Sequence, residues 1–302
     1  MTQQPTLDEA YAASRAIAKR EAKNFYYAFV ALPAPRRNAI CAIYAFMRKA
    51  DDLADDETLP REQRRRNIQE WQAAWRAASA GAVTSDPVFV AARDATARFS
   101  IPLSLLDELV AGTTMDLQQP SGAPDTYATF TDLYRYCYLV ASVVGLVCIR
   151  IFGYKDSRAE KLAEETGIAF QLTNILRDVA EDAARNRVYL PLDELAAHSV
   201  SLDSLLHRAP NAPPSSNERA LLADLAGRAE SYYRSARELL PLIDRESRPA
   251  LWVLVSIYHA LLLRIRRANY DVFSRRASVP MAQKLAILAA GMARMTWIRL
   301  TV

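Results

Sequence analysis

Apolar residues recur at intervals of three and four along almost the whole chain, which is the period of amphipathic α-helices. Turn-forming residues interrupt this pattern most clearly at 118–125 (QQPSGAPD) and 208–217 (RAPNAPPSSN), and we predict loops there. We find no internal repeat and no domain linker, so the pattern predicts one all-α domain over residues 1–302. The predicted helices cover residues 7–31, 61–80, 86–98, 103–117, 129–152, 157–183, 217–241, 247–273 and 280–299, with one more that starts near Pro35 and leads into an acidic cluster.

The composition agrees with a helical protein and argues against nucleic-acid binding. Only 8 of the 302 residues are glycine, whereas the strong helix formers alanine, leucine, arginine and glutamate are abundant. The formal net charge of +4 is spread along the chain and does not form the basic stripe that nucleic-acid recognition requires. We therefore expect no nucleic-acid partner.

The sequence contains no recognisable secretion signal or membrane span. The first fifteen residues lack the apolar core of a signal peptide, and the longest apolar run, 139–149, is shorter than the roughly 20 residues that cross a bilayer. The three cysteines have no framework spacing, which is typical of reduced thiols in a cytosolic protein. We expect a cytoplasmic protein; transient contact with a membrane surface stays open, and the sequence does not predict the oligomeric state.

The first acidic cluster lies in YAFMRKADDLADDE, residues 44–57. Asp51 and Asp55 are four residues apart, so they share one face of a helix and direct two carboxylates the same way. Followed backwards, this face reaches Arg48 and then Tyr44. One stripe therefore presents an aromatic ring, a cation and two carboxylates.

The second acidic cluster lies in residues 167–191, where a polar stripe runs along an otherwise apolar helix. Its members follow one another at spacings of three, four and four: Gln171, Asn174, Asp178 and Asp182. Polar side chains on a helix that is otherwise buried need partners, because burying them unpaired is costly.

Two pairs of like-charged carboxylates, each one helical turn apart, indicate a site for divalent cations. Magnesium prefers oxygen ligands and is usually held by one or two carboxylates together with substrate phosphates. Arg48, Lys49 and Arg177 could neutralise a departing diphosphate, so the pattern favours ionisation of an allylic diphosphate. The alternative is that each acidic pair lies on an ordinary solvated helix face, with Gln171 and Asn174 as satisfied core amides.

Six segments, in order along the chain, resemble the squalene/phytoene synthase family of head-to-head prenyltransferases. The most specific is QLTNILRDVAEDAARNRVYLP (171–191), which resembles the second aspartate motif of the family. The other five are KNFYYAFVALP (23–33), AIYAFMRKADDLADD (42–56, the first aspartate motif), TMDL (114–117), YCYLVASVVGL (136–146) and RANYDVF (267–273).

The resemblance implies an isoprenoid-synthase fold, in which helices surround a central cavity and the two aspartate motifs face each other across it. The implied metal ligands, for Mg²⁺ or alternatively Mn²⁺, are Asp51, Asp55, Asn174, Asp178 and Asp182. The residues implied to contact substrate are Arg48, Gln171, Arg177 and Asn24 near the diphosphates, Tyr44, Tyr136, Tyr258 and Asp116 along the site, and Phe25, Phe29, Val140 and Ala141 as walls for the prenyl tails. Val140 and Ala141 are equally well interpreted as ordinary core residues.

The reaction that the resemblance implies joins two identical prenyl diphosphates through a cyclopropyl diphosphate. The central segment 139–154 favours two farnesyl diphosphates, giving presqualene diphosphate or squalene, over two geranylgeranyl diphosphates, giving phytoene. NADPH is needed only if the product is squalene. One alternative is a head-to-tail synthase, but NILRDVAED (174–182) does not supply the second DDxxD that it would need. Another is a non-catalytic assembly factor, which would be expected to have lost the four aspartates.

Overall fold

Helices form nearly all of the regular structure in the computed structural model, which describes residues 4–118, 123–209 and 211–300. Within these ranges the side chains of residues 23–25, 27, 116, 118 and 295–300 are not described, so the contacts predicted for Asn24, Phe25 and Asp116 lie outside the described residues. The all-α prediction is confirmed. The helices in the described part of the chain are α1 (Leu7–Glu21), α2 (Lys23–Val30), α3 (Ala34–Ala54), α4 (Arg61–Ser79), α5 (Pro87–Arg98), α6 (Leu103–Thr114), α7 (Phe130–Cys137), α8 (Val143–Phe152), α9 (Arg158–Ala184), α10 (Leu192–Ala197), α11 (Leu202–Leu206), α12 (Ser216–Leu239), α13 (Arg248–Arg267) and α14 (Met281–Leu300).

The predicted helix over 7–31 is wrong as a single element, because the chain breaks at Ala22 between α1 and α2. The two parts pack against different neighbours: α1 lies against α3 and α5, whereas α2 lies against α13. The helix therefore breaks where its packing neighbours change, although the apolar pattern continues across Ala22.

The predicted helix over 129–152 is also interrupted, by a π-helical turn at Tyr138–Ser142 between α7 and α8. This turn packs closely on α9 at Gly167. A Cβ atom at Gly167 would lie 2.6 Å from Ser142 Cα and 2.7 Å from Ser142 N, so only glycine allows this approach. The Ser142 hydroxyl donates a hydrogen bond to the Glu164 carbonyl at 2.7 Å, which fixes the turn against the helix.

Helix α9 is the central element of the fold and packs against α8, α12, α13 and the π-helical turn. Its apolar residues, such as Ile168, Leu172 and Leu176, are fully buried. The Thr173 hydroxyl lies 3.0 Å from the Tyr233 hydroxyl of α12, so even the polar atoms of this interface are paired. The polar stripe predicted on α9 is thus presented from a rigid, buried helix.

The remaining elements are short. Two strands of two residues each, β1 (Asp125–Thr126) and β2 (Arg187–Val188), pair in parallel and join the two loops beside the aspartate motifs. They and the short helices α10 and α11 were not predicted, because elements of two to six residues carry too little periodicity. The loop predicted before α12 ends at Ser215, which forms a capping box with Glu218.

Among the described residues, two helical stretches are long and apolar enough to cross a bilayer by length and composition: Phe130–Phe152 and Arg248–Arg267. In the most apolar window of each, 44% and 50% of the residues are buried inside the fold. Core helices of soluble proteins have the same character, so these stretches are only weak evidence for a span.

Candidate functional site

The first aspartate pair lies at the end of α3. The backbone N–H of Asp55, the residue that caps this helix, donates to the Asp51 carbonyl at 2.8 Å, so the two aspartates lie one helical turn apart. Both line a cavity of about 280 Å³, together with Tyr136, Val140 and Arg187. Two carboxylates of α3 and the ring of Tyr136 from α7 thus line one cavity, whereas Tyr44, the ring predicted on the same stripe as the pair, lines a different one.

Arg48, which was predicted to contact diphosphate, forms an ion pair with a neighbouring side chain. Its Nη2 forms an ion pair with Asp52 Oδ1 at 2.7 Å, one turn along the same helix. Its Nε is buried and has no hydrogen-bond partner among the described residues. The side chain therefore keeps unused donor capacity.

The second polar stripe has its predicted order on α9. Asn174 Nδ2 donates to Gln171 Oε1 at 3.3 Å, while Asn174 Oδ1 is buried and accepts no hydrogen bond from any residue that the structure describes. A buried oxygen without a donor is costly unless a cation or another ligand group satisfies it. Asn174 thus has the chemistry of a metal ligand, and Gln171 is placed to hold its amide.

Asp178 is bound by two arginines. Arg177 donates through Nε to Asp178 Oδ1 at 2.7 Å and also pairs through Nη2 with Oδ2. Arg276, from the segment between α13 and α14, lies 2.8 Å from the same Oδ1 through its Nη2. Arg276 was missed by the sequence analysis, because 98 residues separate it from Asp178 and no local spacing links the two.

Two of the four aspartates are buried enough to resist ionisation. Burial, and then the adjacent Asp55, raise the pKa of Asp51 to about 7, against the opposing effect of Arg48. Burial, and then Asp178, raise the pKa of Asp182 to about 7, against the opposing effect of Arg187. Such carboxyl groups become fully charged at neutral pH only when a cation is brought to them.

A larger cavity of about 570 Å³ lies between α3, α9, α13 and the start of α14. Tyr44, Asn174, Arg177 and Tyr258, which are among the predicted site residues, line it. Lining residues that were not predicted add two more cations, Arg276 and Lys284, and one acid, Glu21. Burial, and then the nearby Arg177, lower the pKa of Lys284. The lining thus has three cations and one acid, and two of the cations, Arg177 and Arg276, are paired with Asp178; the excess of positive charge suits an anion.

Arg187 relates the two aspartate motifs to each other. It lines the smaller cavity with Asp51 and Asp55, and its charge acts on Asp182. Tyr44 makes a second link, because it precedes Asp51 on α3 and lines the larger cavity with Asn174 of α9. Within the described residues, no three His, Cys, Asp or Glu side chains are close enough to hold a metal ion by themselves. Ligands from a substrate would be needed to complete the coordination.

Tyr136 lines the smaller cavity and Tyr44 and Tyr258 line the larger one, whereas Phe29 is not among the described residues that line either cavity. Tyr136 stacks on Tyr189 with ring centroids 4.8 Å apart, and Phe29 meets Tyr44 edge to face at 6.0 Å. Tyr189 was not singled out by the sequence analysis, although it lies within 171–191, the segment that resembles the second aspartate motif. Val140 lines the smaller cavity, whereas Ala141 is not among the described residues that line either cavity; its backbone contacts α9 at Gly167.

Comparison with known proteins agrees with this geometry. A family model described as squalene/phytoene synthase matches residues 18–283. A phytoene synthase from Mycobacterium bovis is 36% identical over 287 residues, which make up 95% of this chain and 92% of that protein. Among solved structures, a dehydrosqualene synthase in complex with ligand has a TM-score of 0.83 at 29% identity, covering 96% of this chain and 98% of that one.

A squalene synthase from Alicyclobacillus acidocaldarius is also similar, with a TM-score of 0.79 at 26% identity, covering 88% of this chain and 96% of that one. The isoprenoid-synthase fold expected from the motifs is therefore confirmed. With a family match that runs through most of its length, the chain belongs to the squalene/phytoene synthase family.

Proposed function

We propose that this prenyltransferase joins two geranylgeranyl diphosphates to give phytoene. Head-to-head condensation of two prenyl diphosphates is the reaction of the family to which the chain belongs. The length of the substrate is inferred from sequence similarity, because the 36% identical relative is a phytoene synthase. Two farnesyl diphosphates, which the central segment favoured, are the second candidate, supported by the structural similarity to dehydrosqualene and squalene synthases.

The proposal for the site rests on side-chain oxygen atoms that are withdrawn from water and suit a cation. Asp51 and Asp182 have pKa values raised to about 7, and Asn174 Oδ1 is buried without a donor among the described residues. We propose that Asp51, Asp55, Asn174, Asp178 and Asp182 hold divalent cations, Mg²⁺ or alternatively Mn²⁺. All of these ligands are oxygen atoms, as Mg²⁺ requires, and the missing positions suit diphosphate oxygens. Bound ions would offset the negative charge that develops on the departing diphosphate.

The cations of the larger cavity are proposed to bind the diphosphate groups. Arg177 and Arg276 present planar guanidinium groups, which bind phosphate oxygens through paired hydrogen bonds, and Lys284 adds a point charge. Arg276 also pairs with Asp178, so it connects the second aspartate motif with the segment that leads into α14. Arg48 retains a buried Nε that is available to a bound anion.

The tyrosines are proposed to stabilise the allylic carbocation. Burial is the main cause that raises the pKa of Tyr44 and of Tyr258 to about 12, so both phenols stay neutral at physiological pH. The faces of neutral aromatic rings attract cations, most strongly where water is excluded. Tyr136 would act in the same way in the smaller cavity, beside Val140.

We further propose that the protein works in the cytoplasm as one domain and needs no reductant. A phytoene product requires no NADPH, which would be used only for squalene. A need for NADPH would therefore indicate squalene, whereas phytoene and presqualene diphosphate are distinguished by chain length.

Product analysis tests the proposal. Purified protein with Mg²⁺ is given farnesyl or geranylgeranyl diphosphate, with and without NADPH, and the lipid products are identified by mass spectrometry. We expect phytoene from geranylgeranyl diphosphate without NADPH, and no product from the Asp182→Asn variant. A head-to-head product from farnesyl diphosphate alone would contradict the proposed chain length. Unchanged substrate in every reaction of a folded protein would favour the non-catalytic alternative.

A further inference from the structure

Arg187 lies beside carboxylates of both aspartate motifs. It lines the smaller cavity together with Asp51 and Asp55. It also lines a further small void together with Asp182, on which its charge acts. A guanidinium group stays protonated at physiological pH, and when it pairs with a carboxylate it opposes the binding of a divalent cation to the same oxygen atoms. Arg187 therefore has to be held elsewhere if these carboxylates are to accept metal ions.

Asp125, in β1 between α6 and α7, provides the opposing charge. Its Oδ2 lies 3.7 Å from Arg187 Nε, and the residue is only 7% exposed. Its Oδ1 is buried and has no hydrogen-bond partner among the residues that the structure describes. Burial raises the pKa of Asp125, whereas Arg187 and then Arg61 oppose this shift, so both arginines stabilise the charged form. The charge of Asp125 is thus little screened by water and acts on Arg187 at short range.

Backbone pairing holds this ion pair in place. In the parallel pairing of β1 with β2, Asp125 lies opposite Arg187, and its N–H donates to the Asn186 carbonyl at 3.0 Å. The connection continues beyond the strands, where the Leu192 N–H donates to the Tyr127 carbonyl at 2.9 Å. Because the backbone fixes the two residues side by side, little conformational freedom is lost when the carboxylate faces the guanidinium.

The surroundings of the pair offer Arg187 an alternative partner. A polar cavity of about 140 Å³ is lined by Asp55, Asp125 and Arg187 together. The other charged residues that line it are Glu57, Arg61, Arg64 and Arg185. Since one open space borders both carboxylates, the guanidinium of Arg187 can turn from Asp125 towards Asp55 without displacing protein atoms.

We propose that Asp125 is a positioning residue, which keeps Arg187 from pairing with the aspartates and so leaves them free to bind divalent cations. It acts through Arg187 and is not itself a metal ligand. The inference rests on the proposed function, because it presupposes the metal-binding role of Asp55 and Asp182. Without the charge of Asp125, Arg187 pairs with one of these carboxylates and competes with the cation. Metal binding then weakens although every proposed ligand is still present.

A double-mutant cycle on metal binding tests this role of Asp125. Binding of Mn²⁺ is measured by electron paramagnetic resonance in the presence of an unreactive thiolo analogue of geranylgeranyl diphosphate, with a protein-free sample as reference. Asp125→Asn should raise the half-saturating Mn²⁺ concentration about fivefold, because Arg187 changes its partner within one network of charges. In the Arg187→Gln background the same substitution should change it by less than about twofold, because only the long-range loss of one negative charge remains.

Asp107→Asn on α6 is the matched control. It also removes an aspartate that pairs with an arginine of another element, Arg76 of α4, at 3.3 Å. Asp107 is not among the described residues that line either cavity of the candidate site, so this variant should bind Mn²⁺ as the wild type does. Circular dichroism checks the fold of each variant. Asp125→Ser, which removes the same charge, replaces Asp125→Asn if that variant does not fold.

Unchanged Mn²⁺ binding by folded Asp125→Asn, or an equal loss in both backgrounds, would overturn the positioning role and leave the proposed function intact. A wild-type protein that binds no Mn²⁺ beyond the protein-free reference would instead refute the proposed metal ligands, and the role of Asp125 with them. Crystals of metal-free Asp125→Asn give a direct view. We expect the Arg187 guanidinium within about 4 Å of an Asp55 or Asp182 oxygen, the distance of an ion pair. A guanidinium that stays beside residue 125 would contradict the inference.

Discussion

At the scale of single residues, the aspartates of the two motifs have unequal environments. Asp178 is held between Arg177 and Arg276, whereas Asp51 and Asp182 are half-buried beside another carboxylate. A buried carboxylate beside a like charge lowers the stability of the fold whenever it is ionised without a cation. Asp51 and Asp182 are therefore positions where function and stability oppose each other.

The Asp51→Asn substitution should stabilise the metal-free protein at neutral and alkaline pH. Between its ordinary pKa of 3.8 and about 7, the folded protein binds more protons at Asp51 than the unfolded chain does, so stability falls as pH rises through this window. Removing the charge should raise the free energy of unfolding at about pH 8 by on the order of 2 kcal/mol, with little effect below about pH 4. Thermal or urea unfolding in the presence of a chelator, over this pH range, measures the difference.

Asp52→Asn on the same helix is the control, because this side chain is 55% exposed and its surface ion pair contributes little. Its stability should change by less than about 0.5 kcal/mol at every pH. A lower stability of Asp51→Asn than of the wild type at about pH 8 would show that burial and the neighbouring carboxylates do not disfavour the charge of Asp51.

The spacing of residues could predict which aspartates share a face, but not how they are buried or paired. That Asp51 shares a helix face with Asp55, and Asn174 with Asp178, follows from the helical repeat alone. The partnership of Arg276 with Asp178 could not be predicted, because it depends on how a loop 98 residues away folds over α9. The ion pair between Arg48 and Asp52 could have been predicted, since the two residues are four apart on one helix.

At the scale of elements, the π-helical turn at Tyr138–Ser142 positions one wall of the smaller cavity. It carries Val140 into the cavity that Asp51 lines, and it is held against α9 at Gly167. Turns of this kind are often found at functional sites, where they redirect side chains that a regular helix would place elsewhere.

The Gly167→Ala substitution should destabilise the protein despite the better helix propensity of alanine. The new Cβ would lie within 2.8 Å of three backbone atoms of Ala141 and Ser142, and backbone cannot move aside cheaply. We expect a loss of about 1–3 kcal/mol in the free energy of unfolding from urea titration, together with reduced turnover as the π-helical turn is displaced.

Gly227→Ala on α12 provides the matched control, because no atom lies within 4 Å of the position that its Cβ would take. Helix propensity alone should then raise stability by about 0.5–1 kcal/mol. If both alanine variants gained stability, the close approach of α9 to the π-helical turn would be refuted.

Long elements were predictable and short or irregular ones were not. Helices α4, α5, α9, α12 and α14 begin and end within a few residues of their predicted limits, and α3 begins where predicted, because each repeats its apolar face over several turns. The break at Ala22 and the π-helical turn occur inside continuous apolar patterns, so tertiary packing decides them. The close contact at Gly167 brings α9 against the π-helical turn. The two segments are separate in the sequence, so the apolar pattern of neither one predicts the contact.

At the scale of the whole molecule, two cavities with different character lie side by side. The smaller one holds the first aspartate pair with tyrosines and apolar walls, and the larger one gathers Arg177, Arg276 and Lys284. The two cavities meet along α3, where Tyr44 lines the larger cavity and Met47, one turn further on, lines the smaller one. The family and its head-to-head chemistry were predicted from the motifs and are confirmed, whereas the roles of the individual residues and the single-domain organisation stay predictions.

The central claim is that both aspartate motifs hold divalent cations against the same diphosphate-containing substrates. Crystals grown with Mn²⁺ and an unreactive thiolo analogue of geranylgeranyl diphosphate, measured at the manganese absorption edge, test it most directly. We predict anomalous peaks in direct contact with Asp51 or Asp55 and with Asp178 or Asp182, bridged by diphosphate oxygens. Peaks confined to surface carboxylates, with the diphosphate bound away from both motifs, would contradict the account.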